Sequence, residues 1–338
     1  MFKRLLYFGY YLKELDRAKF RLFLHRVKQK TGKSSLSIMV DILYSSFKYN
    51  IAVLEYFQFH FYRLSKEEKA NYAGTGYMYE YQLKMNPKKS RSVLEDKLQF
   101  LEVYKEFVHH QHASITALEK DPALAEKMLA NKSGKLVFKN AHGQCGNGIE
   151  VLNVAGFNQQ KVISRLKQNG NDFVEEFVVQ HPALMKLSPA GLNTIRIVTQ
   201  LDDHNLVDII AARLRITINS SVDNLAAGNI AAPIDLETGK VEGPGVYSDI
   251  TREDEFIHPI TKTEIVGFKV PFWEETIEMV TGAALKDTKN RSVGWDIAIT
   301  ATGPELIEGN HDWCKLLWQL PVKRGLKGIL QNYQKSSK

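Results

Sequence analysis

The chain has 338 residues, 44% of them hydrophobic and 25% charged, a profile of two or three folded domains that excludes a disordered or fibrous chain. No apolar run reaches the ~18 residues that span a bilayer, and two cysteines, Cys145 and Cys314, exclude a disulfide framework and suit a reducing cytoplasm. A formal charge of +7 favours an anionic partner, and a nucleotide, an acidic sugar, anionic lipid and nucleic acid all satisfy it.

Residues 1–92 read as a helical, aromatic and basic region. Ile51, Leu54, Phe57, Phe61 and Leu64 recur at helical spacing, so "YFQFHFYRL" reads as a buried helix face and not as a base-stacking platform. That removes the main support for nucleic-acid binding. Lys and Arg alternate with Leu, Phe and Tyr over residues 3–30. The pattern fits an ordinary amphipathic surface helix, or one that touches a membrane or a partner. The N-terminal apolar stretch is interrupted and no small-residue cleavage site follows, so a secretory signal is not expected. "KMNPKKSRS" at 84–92 marks a domain boundary.

Helix and strand patterns alternate beyond it. A helix is expected over 92–107, strands over 135–140 and 148–154 flanking the tight loop "QCGNG", a helix over 159–168 and a strand over 172–179. Further strands are expected at 194–201, 206–216 and 229–241, the last turning at "ETGK". A helix is expected over 271–286, with Trp273, Ile277 and Val280 on one side. Sheets with helices packed against them, an α+β layered architecture, follow from this order.

The most informative stretch is "GWDIAITATGPELIEGN", residues 294–310. Trp295, Ile297 and Ile299 alternate with Asp296, Ala298 and Thr300, and a second strand runs from Glu305 to Asn310. A turn centred on Thr302 pairs position 296 with 308, and opposed residues share a face. Asn310, two residues on, projects from the same face. Asp296, Glu308 and Asn310 then form a hard-oxygen site for Mg2+ or Mn2+. The hairpin itself is expected to need neither charge for folding.

Upstream, "LVFKNAHGQCGNGIEVL" delivers Lys139 from a strand into a loop with Gly143, Gly146 and Gly148, a set suited to a phosphate. "VEEFVVQHP" ends a strand with Phe177, Val178 and Val179, which can sandwich a base, or can simply be a buried strand end. Arg196, Arg213 and Arg215 interrupt apolar strands, where a charge is costly unless it meets an anion. They suit a transferring phosphoryl group or a substrate carboxylate, with a solvent-facing position the alternative for Arg215. "HHQH" at 109–112 reads as a solvated helix end, and the two cysteines as small packing residues.

Taken in order, Lys97, Lys139, the Gly143–Gly148 loop, "EEFVV", the strand arginines and Asp296/Glu308/Asn310 resemble the ATP-grasp superfamily over about residues 95–320. "LNTIRIVT", "VDNLAAGNIAAPID" and "GWDIAITATGPELIEGNHDW" resemble more narrowly the sugar-transfer-associated ATP-grasp proteins of surface-polysaccharide biosynthesis. The resemblance implies an ATP-grasp fold, two α+β subdomains over 93–180 and 181–338 clamping ATP, behind the N-terminal helical region. It implies Lys97 and Lys139 on the phosphates, with Gly143, Gly146, Asn147 and Gly148 covering them. Glu175, Glu176, Phe177, Val178 and Val179 would form the adenine hinge, and Asp296, Glu308 and Asn310 would hold two Mg2+ ions. Two departures stand out: the loop lacks the proline that commonly follows the second lysine, and Asn229 follows Gly228 where a second glycine is usual.

The implied activity is a cytoplasmic ATP-dependent carboxylate–amine ligase that passes through an acyl phosphate. Its substrates would be a small-molecule acid and amine, a uronic acid or amino sugar and an amino acid. A kinase on the same scaffold, or a non-catalytic nucleotide-binding subunit of a polysaccharide-assembly complex, are the alternatives.

Overall fold

The computed structural model of the chain describes residues 2–143 and 148–336. It opens with α1 (Phe2–Lys13), α2 (Arg17–Thr31) and α3 (Ser35–Tyr49). Asp16 caps α2 by accepting from the Ala18 and Lys19 N–H groups, and Ser34 caps α3. Such caps contribute about 1 kcal/mol each. Then come α4 (Val53–Gln58), α5 (Lys66–Asn71) and α6 (Thr75–Met85). Phe57 and Phe61 are fully buried, packed with Phe23, Val27, Ile38 and Tyr56. The expected single helix face is two pieces: α4 stops at Gln58, and a short 3₁₀ turn carries Phe61.

Next are α7 (Ser92–Glu95) and α8 (Lys97–Val103). The helix expected over 92–107 breaks at Asp96, whose carboxylate accepts from the Leu98 and Gln99 N–H groups at 2.9 and 3.1 Å. A side chain that offers the backbone this alternative ends one helix and caps the next. Lys97 thereby becomes the first residue of α8.

A four-stranded sheet comprises β1 (His112–Ser114), β2 (Lys135–Lys139), β3 (Glu150–Asn153) and β4 (Phe173–Glu176). Its order is β1-β4-β2-β3, with every neighbour antiparallel. Helices α9 (Ile115–Lys120), α10 (Pro122–Leu129) and α11 (Gln159–Asn169) cover one face. Leu118, Met128, Leu136, Phe138, Leu166 and Val174 fill the layer between.

After α12 (Pro182–Leu187) comes the larger sheet: β5 (Ile195–Leu201), β6 (Val207–Ile216), β7 (Ile230–Ile234), β8 (Ser292–Thr300) and β9 (Gly303–Asn310). Its order is β7-β6-β5-β8-β9. Alternation decides its two faces. Ile195, Ile197, Ile297 and Ile299 pack on Val280 and Ala283 of α13 (Trp273–Lys286), and Phe100 and Tyr104 of the α8 segment join them. On the other face Val198 and Ala211 meet Tyr81 and Met85 of α6. Trp318 of α14 (Lys315–Gln319) and Leu330 of α15 (Lys327–Ser336) complete that layer. The polar row containing Arg196 and Asp296 lies on this second face, at the end left clear by the apolar packing.

Candidate active site

The site begins with the β8–β9 hairpin. Asp296 pairs with Glu308 and Gly294 with Asn310, but not by the turn read from sequence. Gly303 and Pro304 belong to β9, so the turn holds only Ala301 and Thr302, and Ile297 pairs with Leu306. That register alone would oppose Asp296 to Ile307 and send Glu308 to the far face. A bulge at Ile307 inserts one extra residue and brings Glu308 back beside Asp296.

β5 sets Arg196 directly opposite Asp296. Its Nε and Nη2 donate to the two carboxylate oxygens at 2.5 and 2.8 Å, and Arg215 Nη1 donates to Oδ2 at 2.7 Å. Arg215 Nη2 also reaches Asp223 at 2.7 Å, and Asp223 accepts from the Thr194 N–H and hydroxyl. Gly294 makes this row fit, since a Cβ there would stand 2.6 Å from Trp313 Cβ and 3.2 Å from Arg196 Cδ. Burial alone would raise the Asp296 pKa, but the two guanidiniums outweigh it and hold it below the carboxylate range. Glu308 moves the other way, pushed up by burial and by the neighbouring Asp296 charge.

The expectation that the hairpin needs neither charge meets a different setting at Asp296. Asp296 is 3% exposed and balances two buried guanidiniums. Arg213, expected in the same cluster, is not in it. Its Nε and Nη2 donate to the Trp318 carbonyl at 3.2 and 2.7 Å, and Nη1 to the Ala212 carbonyl at 2.7 Å. It ties β6 to α14. Arg215, offered a solvent-facing alternative, keeps 13% side-chain exposure, and its Nε is buried with no hydrogen-bond partner among the described residues.

The smaller sheet supplies the remaining residues. Lys139 at the end of β2 ion-pairs with Glu175 of β4. Lys97 donates to the Gly143 carbonyl, and its amide bonds the Ala141 carbonyl at 3.0 Å. Burial lowers the Lys97 pKa; the Glu308 carboxylate opposes that and Lys139 adds to it. Lys97 thus senses charges from both sheets. Gly148 takes φ 76°, the left-handed region that favours glycine. Cys145, Gly146 and Asn147 lie outside the described residues. Phe177 to Gln180 cross from one sheet to the other, Phe177 N–H bonding the Lys135 carbonyl at 3.4 Å and Gln180 bridging Thr300. Glu176 N–H bonds the Gln111 carbonyl at 2.8 Å. Val178 is half-buried and Val179 exposed along this crossing.

Sequence reasoning missed the residue that joins the sheets. "HHQH" is not a solvated helix end. His110 is 8% exposed, its Nδ1 lies 2.8 Å from Glu305 of β9, and its Nε2 lies 3.6 Å from Glu175 of β4. Glu305 also accepts from the His109 and His110 N–H groups at 3.1 and 2.9 Å. Burial would lower the His110 pKa, but the two carboxylates outweigh it and raise it to about 9. His311, without an assigned role, lies 3.0 Å from Glu95, and Cys314 is exposed.

The donor set suits a hard divalent cation. Among the described residues no group of three or more His, Cys, Asp and Glu side chains gathers as a metal site, so the candidates are two carboxylates and an amide. Asn310 Nδ2 lies 3.2 Å from Glu308 Oε1. A carboxylate whose ionisation is held back by a neighbour is one a cation would stabilise. Three of about four acceptor positions on Asp296 already receive guanidinium N–H groups, and Glu308 is hydrogen-bonded to Asp296, so a cation would take the place of that shared proton.

Two antiparallel sheets joined at one site, with Lys139 on the smaller and Asp296 and Glu308 on the larger, are the arrangement of the ATP-grasp class. The model of the sugar-transfer-associated ATP-grasp family matches residues 77–335, and the chain belongs to that family. A comparison with curated proteins gives no match. Among solved structures the chain is similar to the ATP-grasp ligase PsnB complexed with a minimal precursor, at TM-score 0.44 and 13% identity over 75% of this chain and 63% of that one. It is also similar to D-alanine–D-alanine ligase from Helicobacter pylori, at TM-score 0.44 and 11% identity over 73% and 62%. L-amino acid ligase from Bacillus licheniformis matches at TM-score 0.42 and 13% identity over 72% and 48%. The chain spans less than two thirds of the length of each of the three.

Proposed function

We propose that the protein is an ATP-dependent carboxylate–amine ligase that joins an amino acid to a uronic acid or amino sugar of a surface polysaccharide such as a capsule. The observation that carries this reading is the charged site where the two sheets meet, joined by His110 between Glu175 and Glu305. Lys97 lies where the charges of Lys139 and Glu308 both act on it, and Arg215, paired with Asp296 and Asp223, holds a buried Nε with no hydrogen-bond partner among the described residues. Lys97, Lys139 and the backbone of Gly143, Gly146, Asn147 and Gly148 would hold the phosphates. Glu175 would position Lys139, and Glu176 to Val179 would take the adenine. Glu308, Asn310 and the remaining position on Asp296 would hold Mg2+, as two ions, with Mn2+ the alternative. Bound metal would neutralise the β- and γ-phosphates.

A carboxylate is a poor electrophile at neutral pH, and phosphorylation supplies a leaving group. The substrate carboxylate oxygen attacks the γ-phosphorus, forming one O–P bond while the bond to the departing ADP oxygen breaks. Arg215 would orient that carboxylate through its unpartnered Nε, and Arg196 would keep Asp296 ionised and fixed. A neutral amine then attacks the acyl carbon, the C–N bond forms, phosphate leaves, and the amine's extra proton passes to solvent. Transfer to a hydroxyl would call for a general base. His110 is poorly suited, because the Glu175 and Glu305 carboxylates raise its pKa to about 9 and favour its protonated form.

The test is the fate of ATP. Purified protein with Mg2+, ATP, mixed uronic acids or amino sugars and mixed amino acids should release ADP and phosphate in step with an amide product. Release of AMP and pyrophosphate would contradict the proposal.

A further inference from the structure

Helix α3 is apolar on both sides. Ile38, Ile42 and Tyr49 face the bundle core and are buried. Leu36, Val40, Leu43 and Phe47 form a second row, exposed by 75, 58, 42 and 38%. A helix apolar all round belongs in a core or against an apolar phase, and only one side of α3 meets a core. The rings of Phe8 and Phe47 lie 5.0 Å apart. The row therefore continues onto α1, where Leu5 and Leu12 are 54 and 48% exposed. One outward apolar strip runs over two neighbouring helices.

Positive charge gathers in the same three helices. Residues 1–49 hold eleven Lys and Arg against three Asp and Glu, a net +8, so the other 289 residues carry a net −1. The basic balance of the whole chain is a property of its first three helices and not of the candidate active site. In α2 no acidic residue offsets the cations, of which Arg26 and Lys30 reach Glu253.

We propose that α1, α2 and α3 form a docking surface for an anionic phospholipid bilayer, with the aliphatic strip at the acyl-chain boundary and the cations on lipid phosphates. Exposed aliphatics and a local excess of cations together select this occupant. A soluble polyanion would engage the cations and leave the strip in water. A second copy would set +8 against +8 across a two-fold interface. No helix among the described residues is long and apolar enough to cross a membrane. At 15 residues, α3 reaches about 22 Å and suits a position along the surface.

The full chain is floated with vesicles of phosphatidylcholine alone, and of phosphatidylcholine and phosphatidylglycerol in equal parts. It should rise with the mixed vesicles only. Leu36→Ser with Leu43→Ser should lower that affinity by about tenfold or more, and Arg17→Gln, Lys19→Gln and Arg21→Gln together by about a hundredfold. All five side chains are exposed, so melting temperatures should hold. Should a variant melt early, Leu36→Trp in the otherwise native chain reads insertion directly, through quenching of its emission by brominated lipid. Unquenched emission, equal flotation with phosphatidylcholine alone, or wild-type binding by the Leu36/Leu43 variant would each overturn the proposal. So would a wild-type dimer that this variant converts to a monomer, with no flotation of either.

Discussion

His110 lies between two carboxylates from different sheets, Glu175 of β4 and Glu305 of β9. Its folded pKa is raised from 6.5 to about 9. At 1.36 kcal/mol per pH unit the gap amounts to about 3 kcal/mol of stability. Because the folded value is the higher one, this contribution is complete below about pH 6.5 and is lost as pH rises through about 9. The assay is urea denaturation of the wild type and of His110→Gln at matched pH, from about 6 to about 10. Subtracting the two curves cancels the tyrosines and lysines that titrate in both chains. The difference should shrink by about 3 kcal/mol across that window. NMR of the histidine rings should show one resonance titrating near 9. A flat difference, or a His110 ring that titrates at its ordinary value, would refute the reasoning.

Glu308→Gln should abolish ATP turnover, measured as ADP release, while leaving the melting temperature nearly unchanged. Asp296→Asn should abolish turnover and also cost roughly 3–5 kcal/mol of stability, because Arg196 and Arg215 lose a buried counter-charge; equal melting temperatures for the two variants would contradict this. Arg213→Ala should cost roughly 1–3 kcal/mol through the orphaned Trp318 carbonyl and leave ATP affinity unchanged by calorimetry, whereas weakened binding would return Arg213 to the site. Gly294→Ala should cost roughly 1–3 kcal/mol through the clash with Trp313 and Arg196, seen as a lower melting temperature.

Local pattern carried a great deal of this protein. Period-two alternation in residues 295–300 and helical spacing in residues 51–64 located strands and buried faces, because side-chain direction follows from backbone geometry alone. Pairing across the hairpin was legible only in part. The shared face of Asp296 and Glu308 depends on a bulge at Ile307, and nothing in "ELIEGN" distinguishes a bulge from a turn centred one half-residue later. Arg196 and Arg213 look alike in sequence, each a charge within an apolar strand, yet one meets Asp296 and the other a carbonyl of α14. What separates them is which helix covers that part of the sheet, a tertiary fact. His110 was least visible. Its partner Glu305 lies 195 residues away, and no local periodicity connects them. The break at Asp96 could have been found, since an Asp before a helix start is a capping signal, but the apolar period ran through it.

The proposed ligase would activate a carboxylate with the γ-phosphate of ATP where the two sheets meet. Hydroxylamine intercepts an acyl phosphate as a stable hydroxamate and leaves an ordinary phosphate ester untouched. With Mg2+, ATP and the acid that supports ADP release, the wild type should yield the hydroxamate of that acid, and Glu308→Gln should yield none. A stable phosphorylated sugar as the end product, with no hydroxamate from the wild type, would contradict the ligase and assign the site to phosphoryl transfer alone.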